Sequence, residues 1–187
     1  LKDGLGCIAL GTLYQYGHGV KQDYLTAKKY FTKACDLNIG PGCNSLGILY
    51  EYGHGVRKNY SKATKYYSKA CKMNDGMGCG NLGLLYYYGQ GVNKDSLKAK
   101  KYYSKACNLN HGEGCTSLGQ LYYYGDGVRK DYSKSKKYFT KGCRLHSGQG
   151  CTNLGLLYYG GRGVKINNSE AKKYFLKGCN LNNPFGC

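Results

Sequence analysis

Eleven cysteines stand at positions 7, 35, 43, 71, 79, 107, 115, 143, 151, 179 and 187, so the spacing alternates 28, 8, 28, 8 along the whole chain. A fixed period of 36 residues marks a stacked repeat array, and a pair of thiols in every period points to covalent stapling of the stack. A single compact domain has no use for such a rhythm.

Other residues keep the same period. Leu-Gly recurs at 10/11, 46/47, 82/83, 118/119 and 154/155, each Leu followed four residues later by Tyr14, Tyr50, Tyr86, Tyr122 or Tyr158. Gly-x-Gly-Val then begins at 17, 53, 89, 125 and 161, ahead of segments such as Ala63-Thr64-Lys65-Tyr66-Tyr67-Ser68-Lys69-Ala70-Cys71. The reading is one array over 1–187 with units 7–42, 43–78, 79–114, 115–150 and 151–186, preceded by residues 1–6 as the tail of an earlier unit.

Within a unit, Leu46, Leu49 and Tyr50 follow Cys43 at helical steps and predict a short helix A with one apolar stripe. Gly53 and Gly55 can take positive φ and end it, and the Asp or Asn at 23, 59, 95, 131 and 167 can cap the helix B that follows. Helix B starts near Tyr60, carries Ala63, Tyr66, Tyr67, Ala70 and Cys71 on one face, and is expected to end in the turn Asn74 to Gly78. Ala or Gly on helix B is expected to face Gly47 and let the two axes approach closely. One such pair cannot bury both of its faces, so stacking must supply the core. Much of that core is tyrosine, since the chain has 22 Tyr and no Trp, and the hydroxyls are expected to stay wet. The fold class is all-α, an α-solenoid of helix-turn-helix repeats with no β-sheet, and no apolar run reaches the length of a membrane span.

The motif Cys-x3-Leu-Gly-x2-Tyr, then Gly-x-Gly-Val, then Ala-x2-Tyr-Phe/Tyr-x-Lys-Ala/Gly-Cys resembles the Sel1-like repeat, a relative of the tetratricopeptide repeat. The added Cys-x7-Cys resembles the Helicobacter cysteine-rich proteins. The resemblance covers the whole chain and implies a right-handed, disulfide-bridged helical array in a secreted or periplasmic setting. It also carries an association with weak penicillin binding and β-lactamase activity.

Spacing alone leaves two pairings open, because the end of helix B lies near the start of its own helix A and near the start of the next. Loop-closure entropy gives roughly 3.5 kcal/mol for the 28-residue loop and roughly 2.5 for the 8-residue loop, too close to choose. The resemblance implies the short pairing: Cys35–Cys43, Cys71–Cys79, Cys107–Cys115, Cys143–Cys151 and Cys179–Cys187, with Cys7 unpaired. Leu1 to Cys7 aligns with Leu37 to Cys43, so the expectation is a fragment of a longer array whose preceding helix B would supply the partner of Cys7.

Metal binding is the rival use of cysteine. Structural zinc prefers Cys-x2–4-Cys knuckles or added histidine, whereas His18, His54, His111 and His146 are scattered and the first two read as solvated loop residues. No metal and no cofactor are expected, and the thiols read as bridges formed in an oxidising compartment. The net charge of +18 concentrates in lysines at 29, 65, 101, 137 and 173 and at 33, 69, 105, 141 and 177, two rows on helix B. Such rows read first as a solvated face and second as a salt-sensitive surface for an acidic partner, with no sequence-specific nucleic-acid recognition because no aromatic platform is interleaved.

Recognition is placed on helix A, which lines the concave side of tetratricopeptide-like arrays, because there the repeat varies. The varying positions hold Asn44, Asn81, Gln120 and Asn153 together with Tyr87, Tyr123 and Tyr159. Amides and a tyrosine ladder suit an extended peptide, whose backbone needs donors and acceptors and whose side chains need flat apolar walls.

Catalysis finds no such constellation. Ser133-x-x-Lys136 and Ser169-x-x-Lys172 occur, without the Lys-Thr-Gly or Ser-Asp-Asn that serine β-lactamases add. No catalytic residue is assigned. The expectation is a monomeric, secreted, disulfide-bridged scaffold binding proteins or peptides of a host or cell envelope. A penicillin binder or weak β-lactamase taking a β-lactam is the alternative that the resemblance implies, and polyanion binding by the helix B rows is the third.

Overall fold

Residues 3–186 are described by a computed structural model. Among them ten α-helices of 13 residues each and a closing 3-10 turn, Pro184–Gly186, make up the regular structure, with no strand. The chain divides into two compact units, residues 1–95 and 96–187.

Unit 1 holds α1 (Gly4–Tyr16), α2 (Tyr24–Asp36), α3 (Gly40–Tyr52), α4 (Tyr60–Lys72) and α5 (Gly76–Tyr88). Unit 2 holds α6 (Ser96–Asn108), α7 (Gly112–Tyr124), α8 (Tyr132–Arg144), α9 (Gly148–Gly160) and α10 (Asn168–Asn180). The odd-numbered helices are the A helices of the sequence pattern and the even-numbered ones the B helices.

The ends of these helices follow from side chains at fixed places in the period. Asp23, Asn59, Asp131 and Asn167 are N-caps of α2, α4, α8 and α10, each accepting backbone N–H groups of the first turn. Every A helix stops at a left-handed glycine, such as Gly53 at φ 77°, a conformation that glycine alone adopts without strain. The B helices end differently from expectation. Their left-handed residue is an Asn or His (Asn38, Asn74, Asn110, His146, Asn182), and Gly76-Met77-Gly78, expected as turn, is already the first turn of α5.

That shift has a packing cause. A Cβ built at Gly78 would lie 2.5 Å from the Cβ of Ala70, and one at Gly114 would lie 2.5 Å from that of Ala106, so each A helix starts in close contact with the preceding B helix. Small residues of helix B therefore face this first turn. The glycine of Leu-Gly meets an aromatic ring instead: Gly11 faces Phe31, Gly47 faces Tyr67 and Gly119 faces Phe139, with a built Cβ 2.5 Å from the Phe31 ring and 2.6 Å from the Phe139 ring. The pair is held at ring thickness, with no side chain on one side to separate the helices further.

In unit 1 the core gathers Ala27, Phe31, Cys35, Cys43, Leu46, Leu49 and Ala70, all within 1% of full burial. In unit 2 a core cluster is Phe139, Leu154 and Leu157, flanked by Tyr123, Tyr132, Tyr158 and Tyr174. Within the units, tyrosines of helices A and B stack in pairs, Tyr50 on Tyr66 at 5.5 Å and Tyr122 on Tyr138 at 5.7 Å. The expectation that tyrosines are mostly packing residues fails for the last residue of the A helices: Tyr16, Tyr52, Tyr88 and Tyr124 are 60–62% exposed.

Four bridges join a B helix to the following A helix: Cys35–Cys43 and Cys71–Cys79 in unit 1, Cys107–Cys115 and Cys143–Cys151 in unit 2, with Cα–Cα distances of 4.4 to 4.6 Å. The expected fifth pair ends on Cys187, which lies outside the described residues. Cys7 is buried and carries no bridge among the described residues.

Candidate functional site

The helix A face differs between the units, and each can be built from its residues. In unit 1 the position after the helix A cysteine is not a surface position. Asn44 is 4% exposed, and its amide oxygen accepts from the Asn81 side chain at 2.9 Å. Asn44 therefore orients Asn81 from beneath and does not itself present an amide to solvent. Unit 2 repeats the burial at this position with Thr116, 4% exposed, and Thr152, 1% exposed. Thr116 donates to the Gly112 carbonyl at 3.0 Å. A backbone-satisfied threonine can be buried where a free amide cannot.

Two turns later in unit 1 stands Glu51, the acid at the position where unit 2 has Tyr123 and Tyr159. The Tyr67 hydroxyl, on a fully buried ring, donates to Glu51. Burial, then the hydrogen bond and charge of Glu51, hold that phenol well above the ordinary tyrosine range. This hydroxyl is dry, against the expectation of wet phenols. Tyr87 is packed edge-on against Tyr88 at 5.0 Å, with the Lys94 ammonium 5.8 Å from its ring centre.

In unit 2 the expected residues converge. Gln120, Tyr123 and Asn153 line one small recess of about 40 Å³ on α7 and α9 together with Tyr124, Leu156 and the buried Phe139 of α8. Tyr123 is fixed by edge contacts to Tyr124 at 4.9 Å and Tyr132 at 5.5 Å, and the Arg162 guanidinium lies 5.2 Å from its ring centre. Asn153 is held by a chain of amides: Asn183 donates to Gln149 at 3.0 Å, and Gln149 donates to the Asn153 oxygen at 2.8 Å. The chain engages the oxygen of Asn153, and the NH2 group of the half-buried side chain remains its donor. Tyr159 stands apart from this recess, 64% exposed, on a neighbouring cleft with Asn168, Lys172 and Phe175. Sequence reasoning missed Gln149, Asn183 and Arg162, since Asn183 lies 34 residues from its partner and its reach depends on the fold.

The helix B lysines are not one solvated face. Lys69 donates to the Cys35 carbonyl at 3.0 Å and Lys141 to the Cys107 carbonyl at 2.9 Å, each adding a cation to a carbonyl at the end of the preceding B helix that already accepts a backbone N–H, from Asn38 and Asn110 respectively. The row at 29, 65, 101, 137 and 173 is exposed throughout. Ser133 and Lys136 lie on α8, with the Lys136 ammonium 5.4 Å from the Tyr158 ring centre. Among the described residues no cluster of three or more His, Cys, Asp or Glu side chains could hold a metal ion, and no helix is long and apolar enough to cross a membrane.

Comparison with known families matches the Sel1 repeat five times, over residues 4–39, 40–75, 77–111, 112–147 and 148–183. The chain belongs to the Sel1 repeat family. Each Sel1 match opens at, or one residue after, the start of an A helix. Among solved structures, a Sel1 repeat protein from Oxalobacter formigenes is 28% identical with a TM-score of 0.90, over 97% of this chain and 74% of that one. A protective antigen of uropathogenic Escherichia coli is 27% identical with a TM-score of 0.84, over 98% of this chain and 39% of that one. Helicobacter pylori cysteine rich protein B is 44% identical with a TM-score of 0.58, over 74% of this chain and 99% of that one. No curated protein sequence gives a significant match. Sel1 repeats generally mediate contacts between proteins, and four disulfides are the chemistry of an oxidising, extracytoplasmic compartment.

Proposed function

We propose that this Sel1 array is a disulfide-stapled scaffold, secreted or periplasmic, that binds an extended segment of a host or envelope protein on its helix A face. The observation that carries the reading is the recess of unit 2. Gln120 and the NH2 group of Asn153 supply the polar contacts that a strand-like backbone requires, and Tyr123, Tyr124, Leu156 and Phe139 supply apolar walls for its side chains. Rigid tyrosines give contact area at low entropic cost, and the bridges preorganise the helices that carry them.

The reading is tested by selecting linear peptides on the oxidised protein from a random displayed library and measuring their affinity by calorimetry. Asn153→Ala with Tyr123→Ala should weaken the selected peptides by at least about tenfold, the size expected for losing one hydrogen bond and one aromatic wall. Peptides that bind the double variant undiminished would place recognition elsewhere.

A further inference from the structure

The two units build the same cleft on helix B at positions 72 residues apart, and they charge it differently. In unit 1 an open cleft of 450 Å³ is lined by Asp36, Lys65, Tyr66, Ser68, Lys69 and Lys72. In unit 2 its counterpart of 410 Å³ is lined by Lys137, Tyr138, Thr140, Lys141 and Arg144 at the matching positions, with Lys136 and Ser133 added.

Two exchanges change the charge between them. Asp36 in unit 1, which pairs with Lys69 at 3.8 Å, corresponds to Asn108 in unit 2, and Thr64 corresponds to Lys136. Unit 1 thus sets three cations against one acid, whereas the unit 2 cleft has four cations and no acid among its lining residues. Two of the four are held in place before any ligand arrives. Lys141 is tied to the Cys107 carbonyl, and Lys136 lies over the Tyr158 ring. The hydroxyls of Ser133 and Thr140 add donors to the same cleft.

We propose that the α8 cleft of unit 2 binds a polyanionic glycan through the sulfate or phosphate esters on its sugars, at a site separate from the peptide recess on helix A. Closely spaced cations without a local counterion favour an oxyanion-bearing chain, and the hydroxyl donors suit sugar oxygens. A nucleic acid fits less well. Tyr138 stacks one face on Tyr122 at 5.7 Å with planes 9° apart, and no second aromatic ring lines the cleft to build a ladder for successive bases.

The test is fluorescence anisotropy of the oxidised 187-residue chain with a labelled sulfated hexasaccharide, a phosphorylated hexasaccharide of equal charge, and a single-stranded oligonucleotide of equal charge. At least one glycan should bind at one site per chain, and the tighter of the two identifies the ester. Affinity should fall about a hundredfold between roughly 50 and 200 mM NaCl when all four cations pair with esters. Lys137→Glu with Arg144→Glu should weaken binding by at least about tenfold, while Lys65→Glu with Lys72→Glu in unit 1 should change it less than about twofold. Asp36→Asn with Thr64→Lys should raise the stoichiometry from one to two. Equal losses from the two charge-reversal pairs would reduce the effect to net charge and overturn the site. So would an oligonucleotide that binds as tightly as the glycans, or inorganic sulfate that displaces them at equal ester concentration. Far-ultraviolet circular dichroism of each variant separates loss of binding from loss of fold.

Discussion

Unit 1 packs Tyr67 beneath Gly47 and meets its hydroxyl with Glu51, whereas unit 2 packs Phe139 beneath Gly119 and leaves Tyr123 and Asn153 around a small recess. The backbone, the caps and the bridges are alike in the two. What differs is a handful of side chains set on equivalent sites: Glu51 against Tyr123, Asp36 against Asn108, Thr64 against Lys136. The repeat supplies a place for each side chain, and these exchanges decide whether the place is filled, neutralised or left open. In unit 1 both faces are internally answered, Tyr67 by Glu51 and Lys69 by Asp36. In unit 2 the same two faces keep unspent donors.

The comparison breaks most readily at the bridges, where the units should be equal. Replacing both cysteines of Cys71–Cys79, or both of Cys143–Cys151, by alanine should each cost about 2.5 kcal/mol, the loop-entropy value for eight residues. Urea denaturation of the two variants, read by circular dichroism, checks this. A loss in one unit twice that in the other would show that the shared geometry hides unequal stability.

Crowding under the Leu-Gly glycine should sharpen the contrast. Gly119→Ala pushes a methyl toward the Phe139 ring, which borders the recess and can yield, whereas Gly47→Ala pushes toward Tyr67, tethered by its hydroxyl. Both fall in the range of about 1–3 kcal/mol for overpacking, with Gly47→Ala the costlier. Thermal melts that rank them in the opposite order would mean the tether carries no rigidity.

Tyr67→Phe should cost about 1 kcal/mol, the net worth of one hydrogen bond. Because the folded phenol titrates above its ordinary value, its contribution is complete below about pH 10 and is lost as pH rises through and beyond that range. In an alkaline ultraviolet titration Tyr67 should ionise only as the fold opens, and the variant should lack that late step. Its survival in Tyr67→Phe would assign the step to another phenol.

The smallest effect should be the acid limb. Asp23 in unit 1 is lowered chiefly by the Thr26 hydroxyl, and Asp131 in unit 2 chiefly by the Lys134 backbone N–H. Both caps are therefore at full strength above the usual carboxylate range and weaken as pH falls below it. Asp23→Asn and Asp131→Asn should each flatten the loss of melting temperature between about pH 5 and 2 by a similar small amount.

The fold was legible because it rests on features that repeat: the cysteine spacing sets the period, and the first glycine of each Gly-x-Gly stop and the Asx caps act within their own turn. The recess was legible only in part. Gln120, Tyr123 and Asn153 stand at the varying positions and do converge, whereas Asn44 varies just as freely and is buried. Variation marks a position relieved of the repeat's own packing, and the contacts of Asn44 with Asn81 are made across 37 residues. The roles of Lys69 and Lys141 were hidden for the same reason, since each reaches a carbonyl 34 residues back. Spacing along the chain locates a lysine on its helix and says nothing of the neighbouring helix end beneath it.

Each disulfide crosses from the B helix of one repeat to the A helix of the next, and the turn inside a repeat carries none. A stack of units ordinarily parts at its seams under load, because there the halves are joined by side-chain packing and a single strand of chain. Here the seam is welded and the interior of the repeat is the softer element. A molecule pulled from its ends, or attacked by a protease from outside, should yield first by opening helix pairs at their Gly-x-Gly elbows, with the welds holding adjacent repeats together until a reductant arrives.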